Sequence, residues 1–295
     1  MADINHIEYG WITPALGYGL SVLGSFLGLV SAGRIRTAAT TGQRLWWGAL
    51  AAWAIGGTAI WTMHFMAMLG FAVEGAQIRY DVPLTIASAV IAVVAVGIGL
   101  VVVGTGRVSV PRILAGGLFT GAGVAAMHYT GMAAMKLRGD LGYDPTRVAL
   151  SVVIALVAAT AALWLAVTVR RTAALIGSAL VMGVAVSGMH FTGMSALSVH
   201  LHPERSGVTG AEVSTLLVPI VLAVIFVVVG LVYALLAAPT EEDRAGVAYL
   251  DSRWTPAPVA DDPASAPADP VGLRARSTLG QPGVPFPRRR DDVRR

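Results

Sequence analysis

Seven stretches of about 20 predominantly apolar residues run through the chain, at 11–33, 45–69, 82–104, 113–135, 148–169, 173–197 and 215–238. A helix needs about that length to cross the hydrocarbon core of a bilayer. None of the seven contains Asp, Glu, Lys or Arg. The pattern predicts an all-α, polytopic membrane protein with seven transmembrane helices. Buried ionisable groups mark proton relays, voltage sensors and ion-coupled transport, so their lack in the spans argues against a pump.

The loops carry the charge asymmetrically. Arg34, Arg36 and Arg44 follow the first span, Arg107 and Arg112 the third, and Arg170 and Arg171 the fifth, with no acidic residue among them. The remaining loops mix both signs, as in Glu74, Arg79, Asp81, Asp140 and Glu212. Basic loops stay in the cytoplasm, which predicts an outside N-terminus and a cytoplasmic C-terminus. The first span lacks the positive flank of a cleavable signal and is expected to be retained. Two regions follow: a membrane domain over 1–238, and a Pro-, Asp- and Arg-rich cytoplasmic tail over 239–295 that is expected to be disordered. The tail's Arg288, Arg289 and Arg290 are a run that could meet anionic lipid heads, although such runs are most often simply solvated.

Composition agrees. Of 295 residues 55% are hydrophobic and 13% charged, against roughly 25% charged in soluble domains, and mean hydropathy is +0.69. The net charge of +4 is explained by loop topology, so no nucleic-acid partner is expected. Cysteine is absent, which excludes thiolate metal sites and leaves His and Met as soft ligands. The sole lysine, Lys136, lies in a loop and cannot form a Schiff base within the bundle.

An internal repeat carries the chemistry. Met63-His64-Phe65-Met66, Met127-His128-Tyr129-Thr130 and Met189-His190-Phe191-Thr192 close the second, fourth and sixth spans. In each, a second Met (Met68, Met132, Met194) follows the His by four residues, and a Gly (Gly57, Gly121, Gly183) precedes it by seven. Residues four apart share a helix face, so each motif offers an imidazole and a thioether together. The Gly two turns deeper suits a close helix seam. Even-numbered spans all run the same way, which predicts three parallel two-helix repeats plus a seventh helix, with the three histidines at one depth near the outer face.

Imidazole with thioether suits copper, Cu(I) above all, whereas Mg²⁺ or Ca²⁺ would want oxygens that these helices lack. The candidate metal ligands are His64, His128, His190, Met63, Met68, Met127, Met132, Met189 and Met194. The competing view makes the histidines interhelical hydrogen-bonders and the methionines flexible filler; threefold repetition favours the metal. His200 and His202 read as solvated loop residues, and Trp11, Trp46 and Trp47 as interface anchors.

On these motifs the chain resembles the MHYT family of bacterial integral membrane sensor domains. Met127-His128-Tyr129-Thr130 matches the motif letter for letter, residues 189–192 differ by Phe191, and residues 63–66 by Phe65 and Met66. The resemblance covers roughly 8–238. It implies copper held by the motif Met and His residues near the outer face, and sensing of a diatomic gas such as O₂, CO or NO. Family members often carry cytoplasmic cyclic di-GMP, histidine-kinase or DNA-binding output domains; the tail here is too short and Pro-rich for one, so a separate cytoplasmic signalling partner is expected. Two other readings remain, a metal-dependent membrane oxidoreductase and a copper capture or transfer protein. No span holds a carboxylate as proton donor, and Met182 is the only methionine in mid-span. A non-enzymatic role is therefore preferred.

Overall fold

In a computed structural model of the chain, the described residues are 4–5, 10–104, 106–201, 208–237, 246 and 249–250. Almost all of the tail, together with His6 and His202, lies outside them. Among the described residues eight α-helices form: α1 (Ile12–Ile35), α2 (Thr41–Ala52), α3 (Met63–Leu69), α4 (Val82–Gly104), α5 (Val110–Ala134), α6 (Pro145–Thr168), α7 (Thr172–Met194) and α8 (Val213–Leu236). Six of them, α1 and α4 to α8, are long and apolar enough to cross a membrane.

The segment expected as a second span differs from its neighbours. It runs from α2 into a ten-residue π-helical stretch, Trp53–Thr62, and then into α3. A π-turn holds more residues than an α-turn, so counting by sevens slips here. Gly121 does make the close seam its position predicts, since a Cβ there would lie 2.5 Å from Leu156 Cα of α6. In the first repeat that duty passes to Gly56, where a Cβ would lie 2.7 Å from the Ala92 carbonyl of α4; Gly57 instead faces the Trp53 ring. Gly183 meets side chains of α1, Val22 and Tyr18.

Contacts run around a closed ring: α1 with the π-helical stretch, that stretch with α4, then α4 with α5, α5 with α6, α6 with α7, and α7 back to α1. Each pair of helices that belongs to one repeat is thus followed by a seam to the next repeat. α8 packs outside the ring, mainly against the π-helical stretch, and leaves Phe226, Tyr233 and Leu236 exposed.

Hydropathy signals none of the β-structure, because the strands are only two to five residues long. β1 (Ile4–Asn5) pairs with β2 (Ala72–Val73), β3 (Arg79–Tyr80) with β4 (Met135–Lys136), and β5 (Gly139–Tyr143) with β6 (Leu197–Leu201), all antiparallel. Each pair joins the start of a two-helix unit to its end, so the all-helical bundle carries a strand-built cap at one end. Asp81 and Asp144 sit at equivalent corners of it. Asp144 accepts from the N–H groups of Thr146 and Arg147 at 2.9 and 3.0 Å, and Asp81 from that of Leu84 at 3.1 Å. Both occupy the N-terminus of a helix, where a carboxylate satisfies otherwise unpaired donors. Their own N–H groups donate to Ala196 and Ala134, which ties each helix start to the far end of its unit.

Among the described residues three buried clusters form, the smallest with Leu27, Ala54 and Leu231. The largest, with Leu29, Ile60, Val96, Val124 and Leu163, lies within the ring. The second, with Phe65, Tyr80, Met132, Leu197 and Val199, underlies the cap. Tyr80 fastens the cap: its backbone exchanges two 2.9 Å hydrogen bonds with Ala211, and its hydroxyl donates to the Met68 carbonyl at 3.4 Å. Burial pushes its phenol above the ordinary tyrosine range.

Candidate metal centre

His64, His128 and His190 come from α3, α5 and α7, three different units of the ring, and meet at one point. Each is at most 2% exposed. His64 Nδ1 lies 3.0 Å from His190 Nδ1 and 3.2 Å from His128 Nδ1, and the ring centroids are 4.9 to 5.2 Å apart. Among the described residues no Asp or Glu joins the group.

Hydrogen bonding alone accounts poorly for three converging Nδ1 atoms. A neutral imidazole has one N–H and one lone pair. If His64 Nδ1 accepts from the other two, His128 keeps a bare Nε2; if His64 donates instead, His128 keeps a buried Nε2–H. Either way, Nε2 of His128 is buried with no hydrogen-bond partner. A cation between the rings would use all three Nδ1 lone pairs at once. At metal–nitrogen distances of about 2.0–2.1 Å, three imidazole nitrogens at tetrahedral angles stand roughly 3.3–3.4 Å apart. The two observed separations are within a few tenths of an ångström of that, so the residues fit one ion.

The far edge of two rings rests on glycine. A Cβ on Gly131 would lie 3.0 Å from Cδ2 of His64 and closer still to Nε2; a Cβ on Gly193 would stand in the same relation to His128. Both glycines follow a motif His by three residues, and the first repeat has Ala67 there. Their role was visible only as a repeated letter, since the spacing does not say which neighbour's ring they support.

The six candidate methionines are all buried. Met127 and Met189 belong to the cluster within the ring, and Met68, Met132 and Met194 to the one under the cap, so the triad lies between two methionine-bearing layers. The Met63 side chain packs against Gly17 of α1. His200 lies apart from the triad, exposed on β6 opposite Asp140.

Two equivalent serines on neighbouring units receive a side chain from the motif helices. Tyr129 Oη shares a 2.6 Å hydrogen bond with Ser151 Oγ of α6. In the first repeat, where Phe65 replaces the tyrosine, Trp61 Nε1 donates to Ser88 Oγ of α4 at 3.0 Å. These two bonds fix the first and second repeats against the unit that follows each.

Three stretches of the chain, 57–116, 121–179 and 183–248, match the family described as the MHYT bacterial signalling protein N-terminal repeat. The chain belongs to the MHYT family. Each match opens on one of the glycines seven residues before a motif histidine. The bifunctional diguanylate cyclase/cyclic di-GMP phosphodiesterase MucR of Pseudomonas aeruginosa is 37% identical over 227 residues, 74% of this chain and 33% of that protein. The cyclic di-GMP phosphodiesterase NbdA of the same organism is 43% identical over 148 residues, 48% of this chain and 19% of that protein. Signaling protein YkoW of Bacillus subtilis is 31% identical over 160 residues, 50% of this chain and 20% of that protein. The matched region therefore spans a third or less of these relatives. No solved structure matches the chain. With six membrane-type helices and this family, the chain is a multi-pass membrane protein with a signalling role.

Proposed function

We propose that this chain is a copper-binding membrane sensor domain whose centre is the His64–His128–His190 triad. The convergence of three Nδ1 atoms from three repeats carries the reading. The Met63, Met68, Met127, Met132, Met189 and Met194 thioethers supply softer donors around it, which favours Cu(I) over harder ions. Bound copper would supply an open position for a neutral diatomic ligand such as O₂, CO or NO. The chain's own residues do the rest: the triad defines the donor set, Gly131 and Gly193 hold two of its rings in place, and the cap and its methionine layer shield the centre from bulk water.

The seven-span arrangement belongs to the same proposal. The α2–α3 segment serves as the second span, three parallel two-helix units form the ring, and α8 is a seventh span beside it. The Arg-only loops put the capped end outside and the C-terminus in the cytoplasm. Two relatives are named for cyclic di-GMP turnover, so the output we assign is a cyclic di-GMP enzyme, linked or separate.

Copper per chain, measured by elemental analysis with EPR after oxidation, tests the centre in the wild type and in His64→Ala, His128→Ala and His190→Ala. One shared site predicts that each single substitution removes most of the copper. A loss of only a third in each would mean three separate sites, and no loss in any would refute copper binding by the triad. For orientation, an impermeant thiol reagent applied to intact cells should label cysteine placed at position 140 and spare position 36; the reverse result overturns it.

A further inference from the structure

Directly beneath the triad lies an apolar chamber of about 50 Å³. Ile60, Val124 and Val186 line it, each four residues before one of the three histidines. In α5 and α7 that offset returns to the same helix face about one turn, or ~6 Å, along the axis, and Ile60 reaches the same wall from the π-helical stretch. Because the three imidazoles meet at one point, the three side chains below them surround the same axis. Met189, adjacent to His190, is also in the wall. All six elements of the ring contribute, from Ser25 of α1 and Val96 of α4 to Leu163 of α6.

Size and lining restrict the guest. A cavity needs roughly 10–15 Å³ for one water, and an engineered apolar cavity of about 150 Å³ accepts benzene or xenon. The chamber falls between these and suits a guest of two or three heavy atoms. Its wall is apolar, hydrocarbon with the thioethers of Met182 and Met189, apart from two hydroxyls. Thr120 Oγ1 donates to the Ala95 carbonyl at 3.3 Å, whereas Ser25 Oγ is fully buried and has no hydrogen-bond partner. A buried water wants two to four polar partners, and one hydroxyl does not supply them.

We infer that this chamber is a docking pocket for a neutral diatomic molecule, held one helical turn below the triad with Ser25 Oγ as its single hydrogen-bond donor. Its role as an antechamber rests on the reading of the triad as the sensing centre; its occupancy does not. A guest there touches every helix of the ring, so its presence is registered by the packing of all three repeats.

The test uses the full-length chain in lipid nanodiscs, methyl-labelled and stripped of metal, under increasing xenon pressure. Saturable NMR shifts are expected at the Ile60, Val124 and Val186 methyls, against linear drift at the exposed Val184. Ala159→Leu, which fills the chamber, should abolish saturation; Val124→Ala, which enlarges it, should bring saturation at severalfold lower pressure and keeps the test alive if the first variant does not fold. With carbon monoxide as probe, Ser25→Ala should raise the half-saturation pressure about fivefold, the loss of one neutral hydrogen bond, and leave xenon unchanged. Linear drift at every methyl, or long-lived water contacts to the lining, would overturn the proposal. Copper measured on metal-loaded portions of the same preparations separates the two readings. Xenon saturation without copper retention leaves the chamber and sinks the copper centre, and copper retention without saturation does the opposite.

Discussion

Gly131→Ala puts one methyl group against the edge of the His64 ring. That methyl would lie 3.0 Å from Cδ2, 3.3 Å from Cε1 and closer still to Nε2, where ordinary carbon contacts begin at about 3.5 Å. Relief requires the ring to retreat by roughly 1 Å. The direction of retreat is toward Nδ1, which already stands 3.0 and 3.2 Å from two other nitrogens. The ring therefore has no room to translate, and either its torsion or the α5 backbone must yield. Overpacking of this kind costs about 1–3 kcal/mol, and disturbance of groups that orient a metal ligand lowers metal affinity about 10–100-fold. Copper affinity by competition with a chelator, and thermal unfolding in detergent, read both effects. Gly188→Ala is the control, since a Cβ there meets nothing within 4 Å. If Gly131→Ala binds copper and unfolds as the control does, the glycine does not position the ring.

Three further outcomes follow from the same contacts. Tyr129→Phe loses the 2.6 Å bond to Ser151, but Ser151 Oγ still donates to the Val148 carbonyl, so the cost should be at most about 1 kcal/mol, seen as a small drop in Tm with copper content unchanged. Asp144→Ala leaves the Thr146 and Arg147 N–H groups without their cap and should cost about 1 kcal/mol in denaturant titration. Burial raises the Tyr80 phenol, so folding favours its neutral form. The resulting stability is complete below the unfolded pKa of about 10 and is lost as pH rises beyond it. Tyrosinate absorbance should thus show a late step coincident with alkaline unfolding, missing in Tyr80→Phe.

Hydropathy located the long helices because each must be apolar over about 20 residues, whatever its neighbours. The common depth of His64, His128 and His190 was legible for a different reason, three copies of one spacing on even-numbered spans, whereas their meeting at one point is set by the closed ring. Other features depend on partners that a spacing cannot name. The π-helical stretch over Trp53–Thr62 left no compositional trace, and it moved the close seam from Gly57 to Gly56. The cap strands are too short for an alternating pattern to show. Gly131 and Gly193 stood in plain view within the motif, but each supports a histidine of the preceding repeat, a relation that exists only once the ring closes.

Division of the triad among three repeats couples the site to the whole ring. No repeat holds more than one of the histidines, so their mutual distances are set by the seams between units. Those seams leave little slack: a Cβ on Gly56 or Gly121 would fall 2.5 to 2.9 Å from backbone of the next unit, and close-packed interiors shift between discrete arrangements more readily than they stretch. A shift of a few tenths of an ångström at a seam is comparable to the tolerance of a metal–ligand distance. Linkage then works in both directions. On the proposed copper reading, a ligand that prefers one spacing of the three nitrogens would bias the seams by its differential affinity for any alternative packing, and anything that biases the seams from the far end of the bundle would alter affinity at the triad by the same factor. Separate sites in each repeat would lack this property, since each could fill without moving its neighbours.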